Sequence, residues 1–421
     1  MYQTLFNIPR ELFGLPLFGM GVLLAVWAVG SVLLLVVLIR QHGFDAETRG
    51  YLPILLVAGA AIAWVIPAII GERGLPIRGY GTMLVVAIVS ACALAAYRGA
   101  RAGIHPEVIL SLAFWAFLGG IVGARIFYLV EYWEDFSHGT LGQRVFAAIN
   151  LTEGGLVVYG ALIGGALAVI AFVFKHHLPA LAIGDIIAPS LALGLGLGRL
   201  GCFLNGCCFG GACELPWAVR FPQPSPPFQR QVERGEIFLH GIKFGGDLTG
   251  PPVVAEVETG SPAAAAGLRA GDEIDVVNQT QTINAAHTLD LLMKVEAGEP
   301  ITLTVRGKSP IQWTLPVAVE RALPIHPTQL YSAVDGVLLC LFLVAITPFR
   351  HRDGEVLAWL MTLHAISRFL LEVVRVDEPG VWGTPLSIAQ VISLVLLAGA
   401  GILWTFILRQ PRGTTLAAVA A

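Results

Sequence analysis

The amino-acid sequence predicts an all-α polytopic membrane protein of about nine transmembrane helices, with a small α+β domain inserted after the sixth. Of the 421 residues, 56 % are apolar and only 13 % are charged, about half the charged share of an average soluble domain. Polar residues concentrate in one segment, residues 201–325. This composition excludes a soluble enzyme and a disordered chain, and a net charge of −3 gives no basic surface for nucleic acid.

Apolar runs long enough to cross a bilayer, which takes about 20 helical residues, occur nine times. No basic segment precedes the first run, so we interpret it as a retained span and not as a cleaved signal peptide. The predicted spans are 18–39, 51–70, 79–97, 108–130, 155–174, 183–200, 333–348, 355–374 and 386–408.

Basic residues follow alternate spans, and the positive-inside rule assigns the loops that carry them to the cytoplasm. The N-terminus and the long segment between the sixth and seventh spans are then outside, and the C-terminus is inside. The basic residues are Arg40, Arg49, Arg98, Arg101, Lys175, Arg350, Arg352, Arg409 and Arg412.

Two spans contain arginine. Arg199 ends the sixth span among glycines in GLGRLGCFLNG, and the eighth span contains RFLLEVVR. In that motif Arg368, Glu372 and Arg375 share one helix face. A charge inside the membrane is costly and is usually paired or faces a polar cavity, and the planar guanidinium suits phosphate. The alternatives are an arginine that snorkels to the interface and a purely structural Arg368–Glu372 pair.

Further aromatic, cationic and glycine-rich motifs lie at the outer ends of the predicted spans. They are IRGYG with Arg78 and Tyr80, YGALIGG with Tyr159, and HPTQLY with His326. Their convergence at one membrane level predicts a site for an anionic lipid head group.

The strings IRGYG, GARIFY, GLGRLGCFLNG, HPTQLY and RFLLEVVRVDE resemble, in the same order, the signature motifs of the prolipoprotein diacylglyceryl transferase family. The resemblance covers about residues 74–210 and 322–408, so the first two spans and the inserted domain are additions. It implies transfer of the diacylglyceryl group of phosphatidylglycerol to the lipobox cysteine of preprolipoproteins in the bacterial inner membrane. The products are a thioether and glycerol 1-phosphate, and no metal or cofactor is expected.

The resemblance also implies roles for individual residues. Arg199 is the expected phosphate ligand, Arg368 a second essential cation, and Glu372 the residue that orients Arg368. Tyr80 would shape the head-group pocket. The other expected substrate contacts are Arg78, Asn205, Gly206 and His326.

Three positions depart from the family pattern. Tyr159 stands where the family has a histidine that is a candidate general base, and Cys202 and Cys207 replace an asparagine and a glutamate. Either Glu372, His326 or the lipid phosphate accepts the thiol proton, or the reaction has changed. We favour the first interpretation, because both arginines remain, and keep Tyr159 as a catalytic candidate.

Four cysteines lie together with the spacing Cys-x4-Cys-Cys-x4-Cys, from Cys202 through Cys207 and Cys208 to Cys213. Zinc sites prefer paired Cys-x2–4-Cys units, which this spacing does not match. An oxidising compartment favours one or two disulfides. Packed free thiols and metal or redox chemistry are the alternatives, and the expected metal content is none.

The inserted domain has its own pattern. VVAEVE and ITLTVRG alternate like strands, HTLDLLMKVEA is helix-like, and SPAAAAGLRAGDEI between them resembles the PDZ domain. Such domains bind peptides by β-augmentation; the alternative is a spacer without a ligand.

The predicted divisions are 1–72 (two extra spans), 73–210 (first part of the transferase core), 211–237 (linker), 238–320 (PDZ-like domain) and 321–421 (second part of the core).

Two other functions compete with the transferase. A catalytically altered membrane adaptor would use the PDZ-like domain to recruit exported peptides, as the changes at Tyr159, Cys202 and Cys207 allow. An intramembrane protease is disfavoured, because the sequence has neither His-Glu-x-x-His nor Gly-x-Ser-x-Gly.

Overall fold

The computed structural model describes residues 4–70, 74–136, 140–150, 154–245, 248–295, 298–315, 321–375, 380–381 and 383–416. The domain boundary predicted at 72/73 lies outside these ranges. The chain forms two compact units, Met1–Thr82 and Met83–Ala421.

The first unit combines a short antiparallel strand pair with two apolar helical runs. Strand β1 pairs with β4, with Ile8 opposite Leu75, and Asp45 caps the second run by accepting a hydrogen bond from the Thr48 amide at 2.8 Å. The elements are β1 (Thr4–Ile8), β2 (Glu11–Leu12), β3 (Leu15–Pro16), α1 (Val22–His42), α2 (Ala46–Ala60), a π-helical turn (Ala61–Val65), α3 (Ile66–Ile69) and β4 (Leu75–Arg78).

Long helices dominate the rest of the chain, and small strands occur only between α9 and α13 in its described part. In order the elements are α4 (Gly79–Arg101), α5 (Pro106–Glu131), α6 (Trp133–Phe136), α7 (Leu141–Ile149), α8 (Val158–Lys175), α9 (Ala180–Asn205), α10 (Pro226–Glu233), β5 (Ile242–Phe244), β6 (Val254–Val257), α11 (Pro262–Ala265), β7 (Ile274–Val277), β8 (Thr280–Gln281), α12 (Ala285–Met293), β9 (Pro300–Val305), β10 (Ile311–Thr314), α13 (Thr328–Ile346), a 3-10 turn (Thr347–Phe349), α14 (Glu355–Val373) and α15 (Ile388–Arg409).

Nine helical runs among the described residues are long and apolar enough to cross a membrane, which confirms the nine predicted spans. The largest differences in bounds concern the sixth and seventh. Helix α9 continues past the predicted end at residue 200 to Asn205, because no residue breaks it until Gly206 adopts a left-handed φ of 81°. Helix α13 begins at Thr328, directly after Pro327, and not at residue 333.

The segment between α9 and α13 (residues 206–327, hereafter the inserted segment) has a single apolar core of its own. Its antiparallel sheet has the order β10-β9-β7-β8, and the alternation in β9 buries Ile301, Leu303 and Val305. The predicted strands and helix therefore form. Pro226 and Pro227 begin helix α10, where proline is favoured, and Phe228 and Val232 of that helix are buried in the same core.

Close helix packing positions the membrane helices of the second unit. Helices α5 and α8 meet at glycines: a Cβ on Gly123 would lie only 2.8 Å from the Cα of Gly164. Helices α9 and α13 meet in the same way, since a Cβ on Gly336 would lie 2.6 Å from the Cα of Gly196. Small residues of this kind are what allow membrane helices to approach closely.

A buried polar network joins α9 to α14 near the start of both helices. Both carboxylate oxygens of Asp185 accept backbone hydrogen bonds, from Gly354 at 2.8 Å and Leu357 at 3.0 Å. Arg98 donates to the Ile186 carbonyl at 3.1 Å and to the Thr347 hydroxyl at 3.0 Å. These buried polar groups are satisfied locally and hold the helices in register.

Candidate functional site

Arg199 lies inside helix α9, six residues before its end at Asn205, and not at the end of the span as predicted. It is half-buried, and in the part of the chain that the structure describes it has no hydrogen-bond or ion-pair partner. An arginine at this depth requires an anionic or polar partner. The helix therefore presents a cation whose partner is not supplied by the described protein residues.

Arg199 lines a partly polar cavity of about 70 Å³. It lies between α9, α13 and α14, where the contact of Gly196 with Gly336 brings two of the helices together. Its polar lining residues are Arg199, Ser332, Asp335, His364 and Arg368. The two arginines that the sequence singles out thus share one cavity.

A second, larger cavity of about 260 Å³ lies in the first unit, between the helical runs α1 and α2. Its lining is apolar apart from Ser31 and includes Trp27, Leu34 and Leu55. Apart from the Ser31 hydroxyl, the described lining residues offer no acid, base or anion-binding group. The smaller polar cavity is therefore the candidate site.

Arg368 is held in place by an ion-pair triad of Arg368 and Glu372 on α14 with Arg375, just beyond the end of that helix. Oε2 of Glu372 lies 2.6 Å from Nη1 of Arg368 and 3.0 Å from Nη1 of Arg375, and the Glu372 side chain is only 2 % exposed. The i, i+4 spacing predicted this face. One carboxylate shared by two guanidinium groups leaves the triad with a net positive charge.

Asp335 and His364 complete the cavity from two helices. Oδ2 of Asp335 accepts a hydrogen bond from the Ser367 hydroxyl at 2.9 Å, which fixes the carboxylate between α13 and α14. The cavity thus combines two cations, a carboxylate and an imidazole. Such a set can bind an anion and exchange a proton beside it.

The family model described as prolipoprotein diacylglyceryl transferase matches residues 67–406 of the chain. The chain belongs to this family. The phosphatidylglycerol–prolipoprotein diacylglyceryl transferase of Rhodopirellula baltica is 34 % identical over 442 residues, which cover 95 % of this chain and 88 % of that protein. A second enzyme of that name from Clostridium perfringens is 24 % identical over 337 residues, covering 80 % of this chain and 93 % of its own length.

The other predicted site residues do not line the cavity. His326 precedes α13, where its Nδ1 lies 3.2 Å from the Tyr331 hydroxyl. Asn205 and Gly206 end α9, and Tyr159 is the second residue of α8. Arg78 and Tyr80 are exposed residues of the first unit. Their roles in this transferase family member stay predictions.

Sequence reasoning missed Asp335 and His364, although a signal existed for each. His364 precedes Arg368 by four residues, so the two share a face of α14. Asp335 is an isolated carboxylate inside the apolar run of α13, and an acid in a spanning helix is a functional candidate by the same argument that selected the arginines.

The arginine of the family motif GARIFY has a structural role. All five N–H groups of Arg125 donate to backbone carbonyls, at distances of 2.6–3.0 Å, and the side chain is buried. The acceptors are the carbonyl oxygens of Ala147, Ala148, Asn150, Gly154 and Gly155. Arg125 therefore ties the end of α7 and the loop before α8 to helix α5.

The cysteines that depart from the family pattern gather at the end of α9. All six cysteines of the chain are free thiols, so the disulfides that the spacing favoured do not form. The Sγ atoms of Cys202, Cys207 and Cys208 lie within 4.8 Å of one another. Hydrogen bonds from the Cys202 and Cys207 thiols, and then the charges of Arg199 and Arg375, lower the pKa of Cys208.

Proposed function

We propose that this family member transfers the diacylglyceryl group of phosphatidylglycerol to the lipobox cysteine thiol of a preprolipoprotein. The observation that carries the proposal is the cavity shared by Arg199 and Arg368 within the membrane helices. The names of the relatives support it. The carbon–oxygen bond between the diacylglyceryl carbon and the phosphate breaks, a carbon–sulfur bond forms, and the thiol loses its proton.

The arginines neutralise the phosphate as it leaves. A phosphodiester with one negative charge becomes the monoester glycerol 1-phosphate, which gains a second. Donors aimed at developing charge in a site of low dielectric stabilise a transition state most effectively. Arg199, which has no hydrogen-bond or ion-pair partner among the described residues, would bind the phosphate directly. Arg368, oriented by Glu372, would supply the second cation.

His364 is the best-placed acceptor for the thiol proton. Oε2 of Glu372 contacts two guanidinium groups, and Glu372, His326 and Tyr159 are not among the residues that line the cavity. Phenols have an ordinary pKa near 10, whereas imidazole is the side chain suited to proton transfer near neutrality. His364 lies in the same cavity as both arginines, and Asp335 beside it can stabilise the imidazolium that forms.

The residues that recognise the lipid head group are proposed from the family resemblance. Arg78 and Tyr80 are proposed contacts of the head group, and their exposure in the first unit is compatible with ligand binding. Asn205, Gly206 and His326 are proposed to shape the outer end of the site. The reaction requires no metal or cofactor.

We propose a periplasmic N-terminus and inserted segment and a cytoplasmic C-terminus, in a bacterial inner membrane. The support is the positive-inside rule. Basic residues occupy the last turns of α4, α8 and α15, which end on the same side if each helix crosses once: Arg98, Arg101, Lys175 and Arg409. Preprolipoproteins would then meet the site on the outer face.

We also propose that the inserted segment recruits preprolipoproteins by pairing with a peptide strand, as its PDZ-like sequence implies. The chain enters and leaves this region at adjacent points, since the Ala322 amide donates to the Phe221 carbonyl at 2.8 Å. A module attached through neighbouring ends can be accommodated without disturbing the helices around it. Its antiparallel sheet ends at β10 and β8, whose edges can accept a further strand.

Replacing either Arg199 or Arg368 by alanine should lower transfer from phosphatidylglycerol to a lipobox peptide by at least about 10²-fold, as the loss of one transition-state donor does. Lysine at either position should restore little, because a point charge does not reproduce bidentate contacts. Purified variants are assayed with a fluorescent peptide. Arg101→Ala, at an exposed position on α4, is the control. Near wild-type activity of folded Arg199→Ala would refute the proposed role of Arg199, whereas no transfer by the wild-type protein would favour the adaptor.

Two further variants, measured in the same assay, test which residue accepts the thiol proton. His364→Gln should cost about 10²–10⁴-fold, the range of general-base catalysis, and should flatten the lower limb of the pH profile. Tyr159→Phe should cost about 1–2 kcal/mol at most, roughly tenfold. The reverse order of the two losses would make Tyr159 the base.

Deletion of residues 223–320, with Pro222 joined to Arg321 by a short Gly-Ser turn, should leave transfer to a short lipobox peptide unchanged. It should raise KM for full-length preprolipoproteins, because strand pairing with the segment is lost. Circular dichroism and a cooperative melt check that the deleted protein is folded. Equal KM values for full-length substrates in both proteins would contradict the recruiting role.

Cysteine labelling checks the topology. Ile283 is 79 % exposed in the inserted segment, and Ile283→Cys should react with a membrane-impermeant maleimide in intact cells. Arg412→Cys should react only after permeabilisation. The parent chain measures the background from native cysteines. Labelling of Ile283→Cys only after lysis would reverse the assigned orientation.

A further inference from the structure

Three thiols converge beside the candidate site, outside the groups that the proposed reaction uses. Cys202 belongs to the last turn of α9, and Cys207 and Cys208 follow the turn at Gly206. Their Sγ atoms all lie within 4.8 Å of one another, and each side chain is half-buried. Convergence of three sulfur atoms from two elements needs a cause, because three thiols gain little from packing against each other.

The backbone that carries the thiols is fixed by helix α13. Nε2 of Gln329 donates to the Cys207 carbonyl, and Oγ1 of Thr328 donates to the Cys208 carbonyl, both at 2.7 Å. Gln329 and Thr328 are at most 1 % exposed. The arrangement of the thiols is thus built into the junction of α9 and α13 and does not depend on a free loop.

A disulfide does not account for the arrangement. It would use two of the sulfur atoms and leave the third thiol unexplained. Metal thiolate bonds of about 2.3 Å separate tetrahedral sulfur ligands by roughly 4 Å, and three sulfur atoms that all lie within 4.8 Å of one another can reach one ion with little movement. Three thiolates are soft ligands, which select zinc or copper(I) over calcium, magnesium or manganese.

We propose that Cys202, Cys207 and Cys208 bind one thiophilic closed-shell metal ion, Zn²⁺ or Cu⁺. Three thiolates complete a trigonal site for Cu⁺, whereas Zn²⁺ takes one further ligand from solvent. Binding releases the thiol protons and changes no oxidation state. The ion links the end of α9 to the segment held by Thr328 and Gln329, about one turn beyond Arg199.

The remaining cysteines supply a matched control. Cys213 lies five residues beyond Cys208, but it is buried elsewhere and its amide donates to the Pro324 carbonyl at 3.0 Å. Cys92 and Cys340 belong to helices α4 and α13. A chain with Cys92, Cys213 and Cys340 all replaced by serine keeps the proposed ligands and removes every other thiol.

The test measures bound metal and not activity, so it is independent of the proposed function. The full-length protein is reduced anaerobically in detergent, loaded separately with Zn²⁺ and with Cu⁺, desalted and analysed by inductively coupled plasma mass spectrometry. We expect one ion per chain in the wild type and in the triple-serine control. Cys202→Ser/Cys207→Ser should retain less than about a tenth as much, because a single thiolate is left.

Replacement by Co²⁺ gives a second readout that a purely structural role of the cysteines would not produce. The wild type should show a thiolate-to-cobalt charge-transfer band that the double variant lacks. The proposal is overturned if the reduced wild type retains neither metal, or if the double variant retains as much as the wild type. It is also overturned if the freshly isolated protein has a disulfide between two of the three cysteines.

Discussion

The close contact between α9 and α13 is the constraint on which both sites depend. Glycine is required at Gly336, because a Cβ there would lie 2.6 Å from the Cα of Gly196, and a Cβ on Gly196 would lie only 3.0 Å from the Ala333 carbonyl oxygen. Arg199 lies one turn beyond this contact, and Asp335 is adjacent to it in sequence, so one approach brings both side chains to the same cavity. The same approach lets the first residues of α13 hold the carbonyl groups of Cys207 and Cys208.

The charges around the cavity match the reaction that we propose. Arg199, Arg368 and Arg375 contribute three positive charges, and Asp335 and Glu372 contribute two negative ones. A phosphodiester brings one further negative charge to this group of side chains. As the ester bond breaks, the added charge develops among groups that are already oriented, in surroundings that screen it weakly.

Three arginines in apolar helices show why residue type alone does not identify a function. Arg125 uses all of its donors on carbonyl groups, and Arg98 donates to groups of α9 and to Thr347. Both hold the fold together. Arg199 makes no such bond within the described residues. In sequence all three are cations in or beside a spanning helix, and only the position of their acceptors, which are distant in sequence, separates them.

The sequence by itself determined the nine spans, because burial in lipid requires long apolar helices whatever their neighbours. It also singled out Arg199, Arg368 and Glu372 as candidates, since charges in such helices are rare, and the i, i+4 spacing is a local property. It could not place Asp335 and His364 in the cavity or bring the three cysteines together. Nor could it distinguish Arg199, which lines the cavity, from Arg125, whose donors all bind backbone carbonyls. Those assignments depend on which helices touch, and the contact at Gly196 and Gly336 joins residues 140 positions apart. Tertiary structure decided them because a cavity and a cluster of thiols are properties of the space between segments, which no local pattern encodes.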